Sequence, residues 1–205
     1  MPNSAARRVA KVAEADFPTR FGKFRIYGFE GGFENQVEEA VALKRGDLSG
    51  DPPPLVRIHS ECLTGDVFHS LRCDCRAQLE LALARICDED RGLLIYEHQE
   101  GRGIGLLNKL RAYELQDAGA DTVEANERLG FEADLRDYEL PAHILRYFGI
   151  SQVRLLSNNP AKIAALERAG IRVAERIPCI VPAHESTEDY LRTKKEKLGH
   201  LLEGL

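Results

Sequence analysis

Residues 92–118 read GLLIYEHQEGRGIGLLNKLRAYELQDA. Gly92 opens a short alternation, and Leu93-Leu94-Ile95-Tyr96 is apolar enough for a buried central strand. Gln99-Glu100-Gly101-Arg102-Gly103-Ile104-Gly105 follows at once, and a helical pattern runs from Leu106 to Ala118. A strand, a glycine-rich turn and a helix in that order place backbone N–H groups and a helix N-terminus where they can hold an anion. Many such turns only connect elements. Here Arg102 in the turn, with Lys109 and Arg111 on the helix, adds the charge an anion needs.

Working outward, the same alternation repeats. Strand content appears at 23–29 and 38–45, with a turn read at Glu30-Gly31-Gly32, and the prolines at 52–54 stiffen the entry to a strand at Leu55–His59. Leu79, Ala82, Leu83 and Ile86 recur at helical spacing between Arg76 and Asp90, with Cys87 beside them as a small core residue. Thr122–Ala125 reads as a short strand or turn, Pro141–Phe148 as a helix and Val153–Leu156 as a strand. Pro160 suits the first turn of a helix over Ala161–Ala169 that Gly170 ends. Val173–Ile177 and Cys179–Val181 read as two last strands, and the amphipathic stretch Thr187–Leu202 as a segment docked on the body or on a partner subunit. There is no internal repeat, low-complexity tract or domain linker. The expectation is a single α/β domain over 1–205, a mixed β-sheet covered by helices, with 1–20 and 203–205 least constrained.

With 205 residues, 43% hydrophobic and 30% charged, the chain is long enough for a sizeable core. A net charge of −5, with no basic stripe, argues against a nucleic-acid partner. No apolar run approaches a membrane span, and the N-terminus lacks the apolar core of a secretory signal. Five cysteines without an export signal fit a reducing, cytoplasmic setting, where clusters bind metal more often than they pair.

Arg57 to Gln78 reads RIHSECLTGDVFHSLRCDCRAQ. Cys62, Cys73 and Cys75 form a C-x10-C-x-C pattern, and three thiolates suit zinc. Cys73 and Cys75 diverge along an extended chain, which disfavours a disulfide. Two readings stay open at this point: a closed four-ligand site completed by His59 or His69, and an open site whose fourth position serves chemistry.

Several long motifs then carry a resemblance: Arg57–Asp66, Leu71–Cys75, Gln99–Arg102, Gly105–Lys109, Asp121–Asn126 and Leu156–Pro160. In content and order they resemble GTP cyclohydrolase II, and similarity covers most of the chain. The resemblance implies a hydrolase acting on cyclic amidine C–N bonds. That reaction opens the imidazole ring of GTP, releases C8 as formate and removes diphosphate, which begins riboflavin biosynthesis. It implies one zinc per subunit on Cys62, Cys73 and Cys75, the metal making water nucleophilic at neutral pH. Arg57, Ile58, His59, Ser60, Glu61, Gln78, Glu100, Gly101, Arg102, Thr122, Ser157 and Lys162 match GTP contacts. Gln78 and Glu100 have the groups to read a guanine edge. Arg102 and Lys162, with Mg²⁺, suit the triphosphate. Ser157 stands where the family pattern has threonine and keeps the hydroxyl. Asp134 matches the proton acceptor and Arg136 a nucleophile at the α-phosphate, although a permanently protonated guanidinium better fits electrostatic stabilisation. Tyr113 matches a tyrosine that completes the second hydrolysis. The resemblance also implies a homodimer. The chain has no room for the dihydroxybutanone-phosphate synthase domain sometimes fused in this pathway, so the stand-alone form is expected.

Overall fold

The computed structural model describes residues 8–33, 36–182 and 187–202. Its sheet has seven strands: β1 (Arg8–Thr19), β2 (Gly22–Phe33), β3 (Gln36–Arg45), β4 (Leu55–Ser60), β5 (Gly92–Glu97), β6 (Gln152–Leu156) and β7 (Arg172–Ile177). The spatial order is β1-β2-β3-β5-β4-β6-β7. From β1 to β5 neighbours run antiparallel, and from β5 to β7 they run parallel, so the sheet is mixed as expected. Helices α1 (Leu63–Asp66), α2 (Cys75–Asp88), α3 (Leu106–Asp117), α4 (Thr122–Arg128), α5 (Glu139–Tyr147), α6 (Pro160–Arg168) and α7 (Glu188–Glu196) complete it, with a 3₁₀ turn at Glu100–Gly103.

Side-chain alternation in the central strands builds two cores. Val56, Ile58, Leu93 and Ile95 face α5 and α6, packing on Leu140, Ile144, Leu145 and Leu166. Leu55, Leu94 and Leu156 face α2, packing on Ala82, Leu83 and Ile86. Burial on both faces explains why β4 and β5 are near-continuous apolar runs. It also puts Arg57 and His59 on the α2 side, because they share the parity of Leu55.

Four local expectations change. Residues 8–19, grouped with the least constrained part of the chain, form β1. The side chains of residues 10–18 are exposed, so the strand has no buried face and is held by its ladder to β2. Glu30-Gly31-Gly32 lies inside β2 and is not a turn. Gly31 is there for a close approach, since a Cβ on it would sit 2.8 Å from Leu140 Cδ1. Thr122–Ala125 is helical, because Asp121 caps α4: its Oδ1 accepts from Val123 N at 2.8 Å and Glu124 N at 3.1 Å, and Glu124 reaches back. Cys179–Val181 is not a strand. The Asn158 amide takes both the N–H and the carbonyl of Cys179 at 2.8 Å, replacing a ladder. Residues 1–7 and 203–205 lie outside the described residues. No helix among the described residues is long and apolar enough to cross a membrane.

Candidate active site

The carboxyl ends of parallel strands are where open α/β sheets bind ligands. Here β4 runs into Cys62, β5 into the turn at Glu100–Gly103, and β6 into Ser157-Asn158-Asn159. One cavity at this edge is lined by Cys62, Cys73 and Cys75 together with Arg57, His59, Ser60, Glu61, Gln78, Glu100, Gly101, Arg102, Tyr113, Thr122, Arg136, Ser157 and Lys162. Ile58 is the exception among the expected contacts. Its side chain is in the core, and only its carbonyl turns to the site, accepting from Lys162 Nζ at 2.8 Å. Asp134 stands behind Arg136.

The three Sγ atoms lie within 4.8 Å of one another, and Cys62 and Cys73 are 3.7 Å apart. Two thiolates about 2.3 Å from a tetrahedral zinc would be roughly 3.8 Å apart, so the donor set fits a divalent cation. Gly65 supports that fit: a Cβ there would meet Cys73 Sγ at 2.9 Å and Cys62 Sγ at 3.1 Å. The thiols compete for one negative charge. Hydrogen bonds from Cys73 and Cys75 pull Cys62 down, while Cys73 is pushed up to about 11 and Cys75 rises too. All cysteines are free. Among the described residues no histidine or carboxylate joins the cluster. His59 Nε2 is committed to Asp66 at 3.0 Å, and His69 is an exposed loop residue. The described residues therefore offer three ligands.

Around the thiols sits a supporting shell, in which Asp66, Tyr96 and Thr64 are residues to which the sequence alone assigns no role. The Asp66 carboxylate accepts from Cys62 N at 3.1 Å and Tyr96 OH at 2.9 Å, besides its contact with His59. Lys109 Nζ is 3.1 Å from Cys62 Sγ and 2.7 Å from Glu100 Oε1, while Glu100 Oε2 accepts from Leu63 N at 2.7 Å. Tyr113 OH is 3.1 Å from Thr64 Oγ1 and faces the Arg72 guanidinium. Burial pushes its phenol up, keeping it protonated.

On the α2 side, Arg57 Nη2 donates to Gln78 Oε1 at 2.8 Å and Nη1 to the Leu156 carbonyl at 3.0 Å. Gln78 Nε2 donates to Asp74, which also accepts from Lys194 Nζ at 2.8 Å. Arg102 and Arg136 line the same cavity. Arg102 adopts φ 63°, and both its Nη atoms are buried without a hydrogen-bond partner. Arg136 makes a two-pronged pair with Asp134, Nε to Oδ1 at 2.8 Å and Nη2 to Oδ2 at 2.5 Å. Burial opposes both charges, but the pairing prevails and keeps Arg136 protonated and Asp134 ionised. A buried guanidinium with no acceptor is a costly arrangement unless a ligand supplies one.

Against known proteins, the pattern of the GTP cyclohydrolase II family matches residues 10–178. The chain belongs to the GTP cyclohydrolase II family. It is 56% identical over 194 residues to "Riboflavin biosynthesis protein RibBA" of Bacillus cereus, and 55% identical to the proteins of that name from Bacillus cytotoxicus and Bacillus mycoides. Each alignment covers 95% of this chain and 48% of the relative, so the chain spans about half the length of these curated relatives. Among solved structures, the two-domain 3,4-dihydroxy-2-butanone 4-phosphate synthase RibBX of A. baumannii matches with a TM-score of 0.46 at 18% identity, over 85% of this chain and 41% of that one. The GTP cyclohydrolase II motifs named from sequence are the segments that converge on the cavity.

Proposed function

We propose that this chain hydrolyses GTP to 2,5-diamino-6-(5-phosphoribosylamino)pyrimidin-4-one, formate and diphosphate, the first step of riboflavin biosynthesis. The observation that carries the reading is a single cavity lined both by the three-thiol cluster and by the acceptor-less Arg102 guanidinium. A purine nucleoside triphosphate needs both a hydrolytic centre and buried positive charge.

Cys62, Cys73 and Cys75 would hold zinc, which supplies Lewis acidity that makes water nucleophilic at neutral pH. The rest is the work of this chain's residues. Arg57 fixes Gln78, and Gln78 together with Glu100 reads the base edge. Arg102, Arg136 and Lys162 receive the phosphates, with Mg²⁺ carried by the triphosphate. Ser157 and Thr122 line the same cavity and offer hydroxyls. Because Arg136 is paired with Asp134 on two prongs, we assign it to stabilising charge that develops at the α-phosphate; the proton-acceptor role of Asp134 requires that pair to open when substrate binds. Tyr113, held at Thr64 beside the thiols, orients the water that frees formate from the ring-opened formamide. The enzyme is taken to be cytoplasmic and homodimeric, with no nucleic-acid partner.

Incubation with GTP, Mg²⁺ and Zn²⁺, followed by formate and diphosphate assays, tests the reading. Formate release that depends on all three cysteines is expected; no formate from GTP sinks it.

A further inference from the structure

We infer that Glu97 is a positioning residue of the phosphate subsite, acting on substrate through Ser60 and Lys162. The inference rests on the nucleotide reading above. Glu97 ends β5 and is 1% exposed, yet it does not line the cavity. Its Oε1 accepts from Ser60 Oγ at 2.6 Å, and its Oε2 is buried without a partner. Lys162, on α6, is 5% exposed; its Nζ donates to the Ile58 carbonyl and lies 3.5 Å from Ser60 Oγ. Ser60 thus stands between a buried carboxylate and a buried ammonium, and Ser60 and Lys162 are the two that reach the cavity.

The charges around Lys162 show why a carboxylate is needed there. Both oxygens that Lys162 contacts belong to neutral groups. From β4 it meets the field of Arg57 and the buried His59; from the segment after α4 it meets Asp134, Arg136 and the Tyr138 ring at 5.2 Å; from the C-terminal segment it meets His200. Asp134 is committed to Arg136 on two prongs. That leaves Glu97 as the acid that supports an ammonium before any phosphate arrives. Burial pushes Lys162 down to about 7 and the Glu97 carboxyl up; Asp137 adds to the rise of Glu97 and Arg136 opposes it, and the Lys162 and Glu97 charges favour each other. Remove the carboxylate, and burial together with Arg57 and Arg136 drives Lys162 neutral, at the moment the site must attract an anion.

The test compares the wild-type chain, Glu97→Gln and Glu97→Asp between about pH 6 and 9. Two readouts are taken: titration with inorganic tripolyphosphate, and KM and kcat for formate release from GTP. A nearby opposite charge shifts a pKa by roughly one to three units, each worth tenfold. Glu97→Gln is therefore expected to weaken tripolyphosphate binding and raise KM at least about tenfold at the alkaline end, with kcat little changed and the defect shrinking as pH falls. Glu97→Asp keeps the charge and follows wild type. A Glu97→Gln profile equal to wild type overturns the proposal, as does a loss of equal size at every pH, which marks a merely structural role. Should Glu97→Gln fail to fold, Lys162→Arg decides: a cation that never deprotonates must flatten the pH profile of tripolyphosphate binding, and an unaltered profile overturns the proposal. The tripolyphosphate readout needs no turnover. Absence of formate from wild type would sink the cyclohydrolase reading and leave this comparison intact.

Discussion

Lys194 Nζ donates to Asp74 Oδ1 at 2.8 Å across 120 residues of sequence, and both side chains are buried. Asp74 sits between Cys73 and Cys75, and Gln78 and Arg57 extend the chain of contacts into the base side of the cavity. The C-terminal helix α7 thereby holds the thiol loop in place. Burial opposes the Asp74 charge, but Lys194 outweighs it and keeps the carboxyl below its ordinary range.

Removing one member of a buried pair strands the other charge, at a cost of about 3–5 kcal/mol. Lys194→Met should lower the melting temperature and loosen metal retention. Adding Asp74→Asn should recover part of the loss, since the stranded charge goes with it. Thermal denaturation of the two single variants and the double variant measures the coupling; simple additivity would argue against a pair that acts as a unit.

Gly65→Ala tests the thiol cradle. The backbone there suits alanine, so the effect is steric: the new Cβ lies within about 3 Å of two sulfurs. Metal stoichiometry by elemental analysis should fall well below one per chain, and formate release with it, while circular dichroism stays that of the native fold. Full metal content in this variant would mean the sulfurs are not gathered on one ion.

Arg102→Met removes a buried cation whose Nη atoms have no partner in the free protein. Stability should hold or rise, because a desolvated charge is gone. Nucleotide affinity should fall about tenfold to a hundredfold, the worth of a hydrogen bond to a charged group. Paired melting and GTP-binding measurements check both signs.

Tyr113→Phe keeps the ring over which Arg72 lies but loses the hydroxyl at Thr64. The ring-opened formamide should accumulate while formate release slows, readable by chromatography of the products. An unchanged formate yield would remove Tyr113 from the second hydrolysis.

His200 contributes an acid-side instability. Burial, then the charges of Lys194, Arg136, Arg102 and Lys162, push it down to about 3. An unfolded histidine titrates near 6.5. Between those values the unfolded chain binds more protons than the folded one, so stability declines as pH falls through this window. His200→Gln should make the acid limb of melting temperature against pH shallower and leave the values above neutrality unchanged.

The local pattern of this chain was enough to order its central elements and to pick out the three cysteines as a metal-binding set. Strand, glycine turn and helix at 92–118, the period change after Cys75, and Pro160 at a helix start depend on neighbours a few residues apart. The thiol spacing is also local, and the three cysteines converge as expected, with no fourth protein ligand among the described residues. Other features depended on partners distant in sequence. β1 has no buried face, because its side chains at 10–18 are exposed and backbone pairing with β2 holds it. Gly31 has the composition of a turn, but it lies within β2 where Leu140 leaves no room for a Cβ. Ile58 shares a motif with Arg57 and His59, yet strand parity turns it into the opposite core. Glu97, Asp66, Asp74 and Lys194 are ordinary charged residues in the sequence. Each is defined by a contact that only the assembled sheet and the packing of α7 create, and burial there turns a common carboxylate or ammonium into a group that must be paired.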